Sequence, residues 1–229
     1  MNTDSVRIET PTASIRPSRA ERLLGGQVHQ DMRWVEHILD SDVSLVKALN
    51  VRIAALKKIS KSASFKSRKT IGNGIFMSKL IYLMPLWAGC EEYLINSLQV
   101  AQNKAARCIS RPNTYTPTIE MLKACGWMSV RQLMVYHSLV LLHKTLSSGS
   151  PVYLYQRVTS GGNFSYGTRQ ATTGSIRQGP GPRKDIARLG WCWRSVDQYN
   201  SLPIDLKLDR KLPSFKRRLK DWIGANIEI

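Results

Sequence analysis

The sequence predicts a mainly α-helical fold with a small β-strand unit at its N-terminal end. Three observations predict it. Apolar residues recur at intervals of three and four over most of residues 34 to 146, the period of an amphipathic helix. Helix-capping and helix-ending residues punctuate that pattern at short intervals, as in a bundle of modest helices. Alternation of apolar and polar residues, the mark of a half-buried strand, falls within the first 28 residues.

Taken in order, Val6 to Thr10 alternates and reads as a short strand before Pro11, and Ala13 to Arg16 returns antiparallel until Pro17-Ser18 ends the unit. Arg22 to Val28 reads as another strand, with Gly25 and Gly26 inside it. Trp34 to Ser60 predicts one helix whose apolar face carries Ile38, Leu45, Leu49, Ile53 and Leu56. Ser64 to about Leu83 predicts a second. Its Gly72 and Gly74 cost about 1 kcal/mol each against Ala, tolerable where a neighbouring helix must come close. Pro85 ends or kinks this helix. Glu91 and Glu92 open a third at its positive dipole end, with Lys104, Arg107 and Arg111 at the negative end and Leu94, Leu98, Ala101 and Ala105 as the core stripe.

Thr116 followed by Pro117 reads as an N-cap and first helical residue of a short helix that Gly126 closes. Ser129 and Gln132 form a capping box opening Val130 to Leu146. That stretch is apolar nearly all round, so it predicts the most buried element. Residues 159–184 are rich in Gly, Thr and Pro and read as a linker. Asp185 to Asn200 predicts helix in its second half. Ser214 caps a last helix with Phe215, Leu219 and Trp222 inward and Lys216, Arg217, Arg218 and Lys220 outward.

Charge gives the first indication of function. The 229 residues carry a net charge of +18, a self-repulsion that an anionic partner relieves. It is unevenly spread: residues 51–111 hold eleven basic residues against two acidic ones, and residues 151–229 fourteen against six. From Arg52 to Lys69 there are seven cations (Arg52, Lys57, Lys58, Lys61, Lys66, Arg68, Lys69) and no acid. Lys47, Lys57, Lys58 and Lys61 fall opposite the Leu45–Leu56 stripe, so one face packs while the other presents positive charge. A solvated surface helix ordinarily mixes Glu among its Lys. The absence of Glu here points to a polyanion, nucleic acid above all.

Other chemistry is missing. Cys90, Cys108, Cys125 and Cys192 are far apart, with no zinc spacing, and read as reduced core thiols. His29, His37, His137 and His143 share no ligand spacing, no phosphate-binding glycine loop occurs, and no Asp-Asp pair could hold two metal ions. Tyr82, Trp87 and Tyr93 lie among the cations; core anchoring is favoured over base stacking for each. The longest apolar stretch, Ile75 to Cys90, is interrupted by Lys79 and Pro85 and falls short of the ~20 residues a membrane span needs. With no signal peptide at Met1, an intracellular location, nucleus or cytoplasm, is expected.

Several segments resemble one family in order. Leu24 to His37 (Leu-Gly-Gly-Gln-Val-His-Gln-Asp-Met-Arg-Trp-Val-Glu-His) is similar to the Leu-Gly … Trp-x-x-His segment that follows the catalytic motifs of non-LTR retrotransposon reverse transcriptases. The run Arg52 to Ile59, Phe65 to Arg68, Met77 to Cys90 and Leu98 to Arg107 resembles the same family's thumb. Cys125 to Val130, Tyr199 to Pro203 and Phe215 to Trp222 resemble its post-thumb tail. The family's polymerase signature, an aromatic-x-Asp-Asp, is absent.

The resemblance implies the carboxy-terminal part of an RNA-directed DNA polymerase. Residues 1–34 would be the end of the palm, 35–111 a thumb-like bundle, 112–158 post-thumb helices, 159–184 a linker and 185–229 a basic tail. The expected partner is an RNA–DNA hybrid or other nucleic acid, with the parent enzyme's palm and fingers as a second. Duplex contacts are assigned to Arg52, Lys57, Lys58, Lys61, Lys66, Arg68, Lys69 and Lys79, and secondarily to Lys104, Arg107 and the 216–220 cluster. Leu24, Gly25, Gly26 and Gln27 are primer-grip-like by resemblance. No catalytic residue, metal ligand or cofactor is assigned to this chain; the parent enzyme would use Mg. Two alternatives stay open, a protein-interaction module and a decayed gene fragment. The chain alone is expected to incorporate no deoxynucleotides; a primer-extension assay on a primed RNA template with Mg checks this, and measurable extension overturns it.

Overall fold

The computed structural model describes residues 8–9, 14–15, 18–112, 115–159, 174–176, 190–209 and 211–227. The fold is mainly α with an antiparallel β unit at the N-terminal end, as the sequence predicts. Strand β1 (Ile8–Glu9) pairs antiparallel with β2 (Ser14–Ile15), Ile8 opposite Ile15; the rest of these two expected strands lies outside the described residues. The expected strand Arg22 to Val28 is instead a hairpin, β3 (Ala20–Leu23) and β4 (Gly26–His29), with Arg22 opposite Gln27. Leu24 (φ 50°) and Gly25 (φ 81°) form its two-residue turn, both in the left-handed half of φ as a tight type I′ hairpin demands. The glycine pair in this segment serves as a turn because the two strands pair across it.

The predicted helix Trp34 to Ser60 is broken. A π-helical turn, Glu36–Asp40, is followed by a kink at residues 41–44 and then by α1 (Leu45–Ile59). Ser44 causes the restart, its hydroxyl accepting the Lys47 N–H, the local bond that takes Ser out of helix interiors and into caps. The second helical run is α2 (Phe65–Gly72), capped by Ser64, a π-helical turn Asn73–Met77, and α3 (Ser78–Ile81). Leu83 (φ 57°) ends it, and Pro85 sits in the first turn of α4 (Met84–Trp87), where its missing N–H costs nothing.

Helix α5 (Glu92–Ser110) has the charge order its dipole favours, Glu92 first and Arg107 last. Helix α6 (Thr118–Cys125) is closed by Gly126 at φ 67°, with Pro117 rather than Thr116 at its N-cap. Helix α7 (Val130–Ser148) has the predicted capping box in full. Helix α8 (Val152–Thr159) has no counterpart in the sequence reading. The tail contributes α9 (Trp191–Asn200), α10 (Ile204–Lys207) and α11 (Leu212–Asn226). Lys211, not Ser214, is the N-cap of α11. Within the segment read as a linker, Ile176 is buried and exchanges two 2.8 Å hydrogen bonds with the Asn200 side-chain amide; the rest of that segment lies outside the described residues.

Two apolar cores result. One gathers α1, the α2–α4 run, α5, α6 and the first turns of α7. The other gathers the remainder of α7 with α8, α9, α10 and α11. Val130, Leu133 and Met134 belong to the first core, Leu139 and Leu142 to the second. The chain between α5 and α7 is pinned by Gln102, fully buried, which donates to the Met128 carbonyl at 2.9 Å, and by Gln99, which accepts the Val130 N–H at 2.8 Å. Trp127 stacks on Phe76 at 5.9 Å and donates its indole N–H to the Asn73 side-chain oxygen at 2.7 Å.

Gly72 is where α2 meets α5. A Cβ there would lie 2.4 Å from Ile109 Cδ1 and 3.5 Å from Trp127, and Ile109 is fully buried. The close approach anticipated at Gly72 and Gly74 is real at Gly72 alone; a Cβ on Gly74 would meet nothing within 4 Å. Replacing Gly72 with Ala should therefore destabilise by about 1–3 kcal/mol of overpacking, less the ~1 kcal/mol of helix propensity gained. In an Ile109→Val background, which lacks the clashing methyl, the same change should become neutral or stabilising. A double-mutant cycle by urea unfolding checks this, and additive effects would overturn it.

Candidate nucleic-acid interface

The apolar stripe of α1 fixes where its cations go. Leu45, Leu49 and Leu56 are buried and Ile53 half-buried, while Lys47, Lys57 and Lys58 are exposed. Lys61, in the turn after α1, and Lys66, in the first turn of α2, are exposed beside them. Among the described residues, no ion pair involves Lys57, Lys58, Lys61 or Lys66. Lys47 does pair, with Asp42 at 3.4 Å, an exposed contact worth little. Helix α5 packs along α1 and adds exposed Lys104 and Arg107. Lys57 is near enough to Cys108 to oppose the rise that burial imposes on its thiol.

Arg68 does not join this surface. It is 8 % exposed, and its guanidinium donates to the Ile109 carbonyl at 2.8 Å and the Ala63 carbonyl at 2.6 Å. The expected phosphate ligand is instead a tie between α2, the end of α5 and the α1–α2 turn. Composition could not separate it from its neighbours, because the acceptor at residue 109 is 41 positions away. Arg52 and Lys69 are half-buried. Arg52 donates to the Ala48 carbonyl at 2.8 Å. Lys69 lies over the C-terminal end of α6, where a Cβ on Gly126 would be 3.2 Å from its amine, a favourable place for positive charge.

Leu24 to Gln27 form the turn of the β3–β4 hairpin, docked on residues far along the chain. The Tyr82 hydroxyl donates to the Leu24 carbonyl at 2.7 Å. A Cβ on Gly26 would lie 2.9 Å from Leu83 Cδ1, so any other residue there would displace the end of the Leu83 side chain. The Gln27 N–H donates to His37 Nδ1 at 3.3 Å. Burial, helped by the charge of Lys79, lowers His37 to about 4, so the ring stays neutral at physiological pH and able to accept that bond. Leu24 is 78 % exposed.

Lys79 is half-buried with its amine 5.7 Å from the Tyr82 ring centre. Its pKa is lowered by burial first, then by the charges of Arg52 and Arg22. Arg22 was not singled out in the sequence; only the docking of the hairpin brings it near residues 52 and 79. Trp87 is fully buried and cannot stack on a base, whereas Tyr82 and Tyr93 are exposed. In the tail, Lys216, Arg217 and Lys220 are exposed, but Arg218 is held by Asp205 at 2.7 Å and Asp209 at 3.6 Å. Asp209 is kept below the usual carboxylate range, chiefly by a hydrogen bond from Ser214.

Among the described residues, no group of three or more His, Cys, Asp or Glu side chains could hold a metal ion, and no helix is long and apolar enough to cross a membrane. No family model, no curated protein and no solved structure matches this chain.

Arg68 and the exposed lysines should separate experimentally. Arg68→Met leaves two carbonyls unpaired and should cost roughly 1–3 kcal/mol in urea unfolding, with nucleic-acid affinity unchanged while the variant stays folded. A specific loss of affinity without loss of stability would overturn the structural role.

Proposed function

We propose that this chain holds the sugar-phosphate backbone of a nucleic-acid duplex, and that it is the thumb and tail of a non-LTR retrotransposon reverse transcriptase. The observation that supports the reading most is the group Lys57, Lys58, Lys61 and Lys66, exposed and without described carboxylate partners where α1 turns into α2. Lysines of this kind neutralise phosphates and release condensed counterions. They position a duplex without reading its sequence. Lys104 and Arg107 extend the surface along α5, and Leu24 to Gln27 would lie near the primer end, as the family resemblance implies. The phosphoryl-transfer chemistry would belong to a palm bearing the Asp-Asp signature, which would also bind the Mg ions.

Affinity for an RNA–DNA hybrid, measured by anisotropy at rising salt, tests the reading. Wild type should show a steep decline with salt. Lys57→Glu/Lys58→Glu/Lys61→Glu should bind at least tenfold more weakly at 0.15 M salt, with a log–log slope shallower by about 0.9 per lost phosphate contact. Equal affinity and slope in the triple variant would refute the assignment.

A further inference from the structure

We infer that the corner between α9 and α10 is a binding site for a short peptide of the form Gly-Ser-aliphatic, and that Gly174, Ser175 and Ile176 are its occupant within this chain. Asn200, the last residue of α9, makes the central contact. Its side-chain oxygen accepts the Ile176 N–H at 2.8 Å, and its side-chain nitrogen donates to the Ile176 carbonyl, also at 2.8 Å. One amide thus satisfies both main-chain groups of a single residue, as a hydrogen-bonded partner in an antiparallel ladder does. Main-chain bonds of this kind give affinity for a peptide segment in general; contacts to its side chains decide which segment.

Each of the three residues meets a contact that restricts its type. Ile176 is 6 % exposed and belongs to the second core, so its position calls for an aliphatic side chain. The Lys207 amine donates to the Ser175 hydroxyl at 3.2 Å, which favours an acceptor on the preceding residue. Gly174 has φ 63°, and a Cβ there would lie 3.2 Å from Lys207 Cβ and 3.5 Å from Leu208 Cδ2. Both the backbone conformation and the available space select glycine.

The receiving residues are tied to one another as well as to the segment. The Tyr199 hydroxyl donates to the Lys207 carbonyl at 3.1 Å, and the Lys207 amine donates to the Asn200 carbonyl at 2.7 Å. Backbone bonds from Lys207 to Pro203 and from Leu208 to Ile204 hold α10 itself. Withdrawing residues 174–176 therefore removes two bonds to the Asn200 amide, one bond to Lys207 and one apolar side chain, and leaves this internal framework in place. A site preformed in this way can exchange one peptide for another without rebuilding itself. None of its residues belongs to the duplex surface, so the inference does not rest on the function proposed above.

The experiment uses the full chain and a fluorescein-labelled peptide carrying residues 172–178. In the chain, Ile176→Asp and, separately, Gly174→Val vacate the site without altering Asn200 or Lys207. Each should bind the peptide saturably in anisotropy titrations, about tenfold or more tightly than wild type, whose own tethered segment competes. Adding Asn200→Leu to either should weaken binding about tenfold, and the same peptide with Asp in place of isoleucine should not bind. That pattern supports the site. No saturable binding by either vacated chain, equal binding by wild type, or binding indifferent to Asn200→Leu overturns the inference. So does failure of both vacated chains to fold, since residues 174–176 would then be an inseparable part of the second core rather than a ligand for it.

Discussion

The structure depends on α7 being apolar on more than one side. Val130, Leu133 and Met134 close the first core, and Leu139 and Leu142 open the second. A helix with a single apolar stripe can serve one neighbour; this one buries side chains in both cores and leaves Arg131, Lys144, Ser147 and Ser148 to water. Its start is made rigid by polar bonds that leave little unsatisfied. Ser129 and Gln132 cap each other's backbone, Gln99 takes the Val130 N–H, and the Gln132 amide reaches the Ile227 carbonyl at 2.8 Å. The last bond, with the stacking of His143 on Phe215 at 3.7 Å, lays α11 antiparallel across α7.

The two sides of α7 are not equally well satisfied. Among the described residues, Trp191, Arg194, Ser195 and Gln198 carry buried polar atoms without a hydrogen-bond partner, and all four lie on one face of α9. Arg194 is brought down to about 10 by burial, the mark of a charge poorly compensated by its surroundings. On the side of the first core, Ser41 Oγ alone among the described residues is left so, while Gln102, Trp127 and Arg68 each find an acceptor. The better-satisfied side is the one that carries the proposed duplex surface. Charges that must hold a phosphate backbone gain from resting on elements that do not shift.

Much of this was legible in the residues. The capping box at Ser129, Gly126 as a helix stop, the charge order of α5 and the burial of α7 are local chemistry, and the structure reproduces them. The failures are of two kinds. Ser44 and Leu24-Gly25 redirect the chain by choosing a cap or a turn where the periodicity would also tolerate continuation. Arg68, Arg22 and Arg218 look like any other surface cations until a carbonyl at residue 109, a lysine at 79 or two aspartates at 205 and 209 come near them.

By itself, the sequence determined most of the helical stretches, which face of α1 is apolar, and that the chain carries far more positive than negative charge. Those properties follow from side-chain chemistry at fixed helical spacing, so they need no knowledge of distant residues. Tertiary structure alone decided which cations remain available. An arginine's role is set by the nearest acceptor or like charge, and that neighbour is supplied by packing rather than by position in the chain.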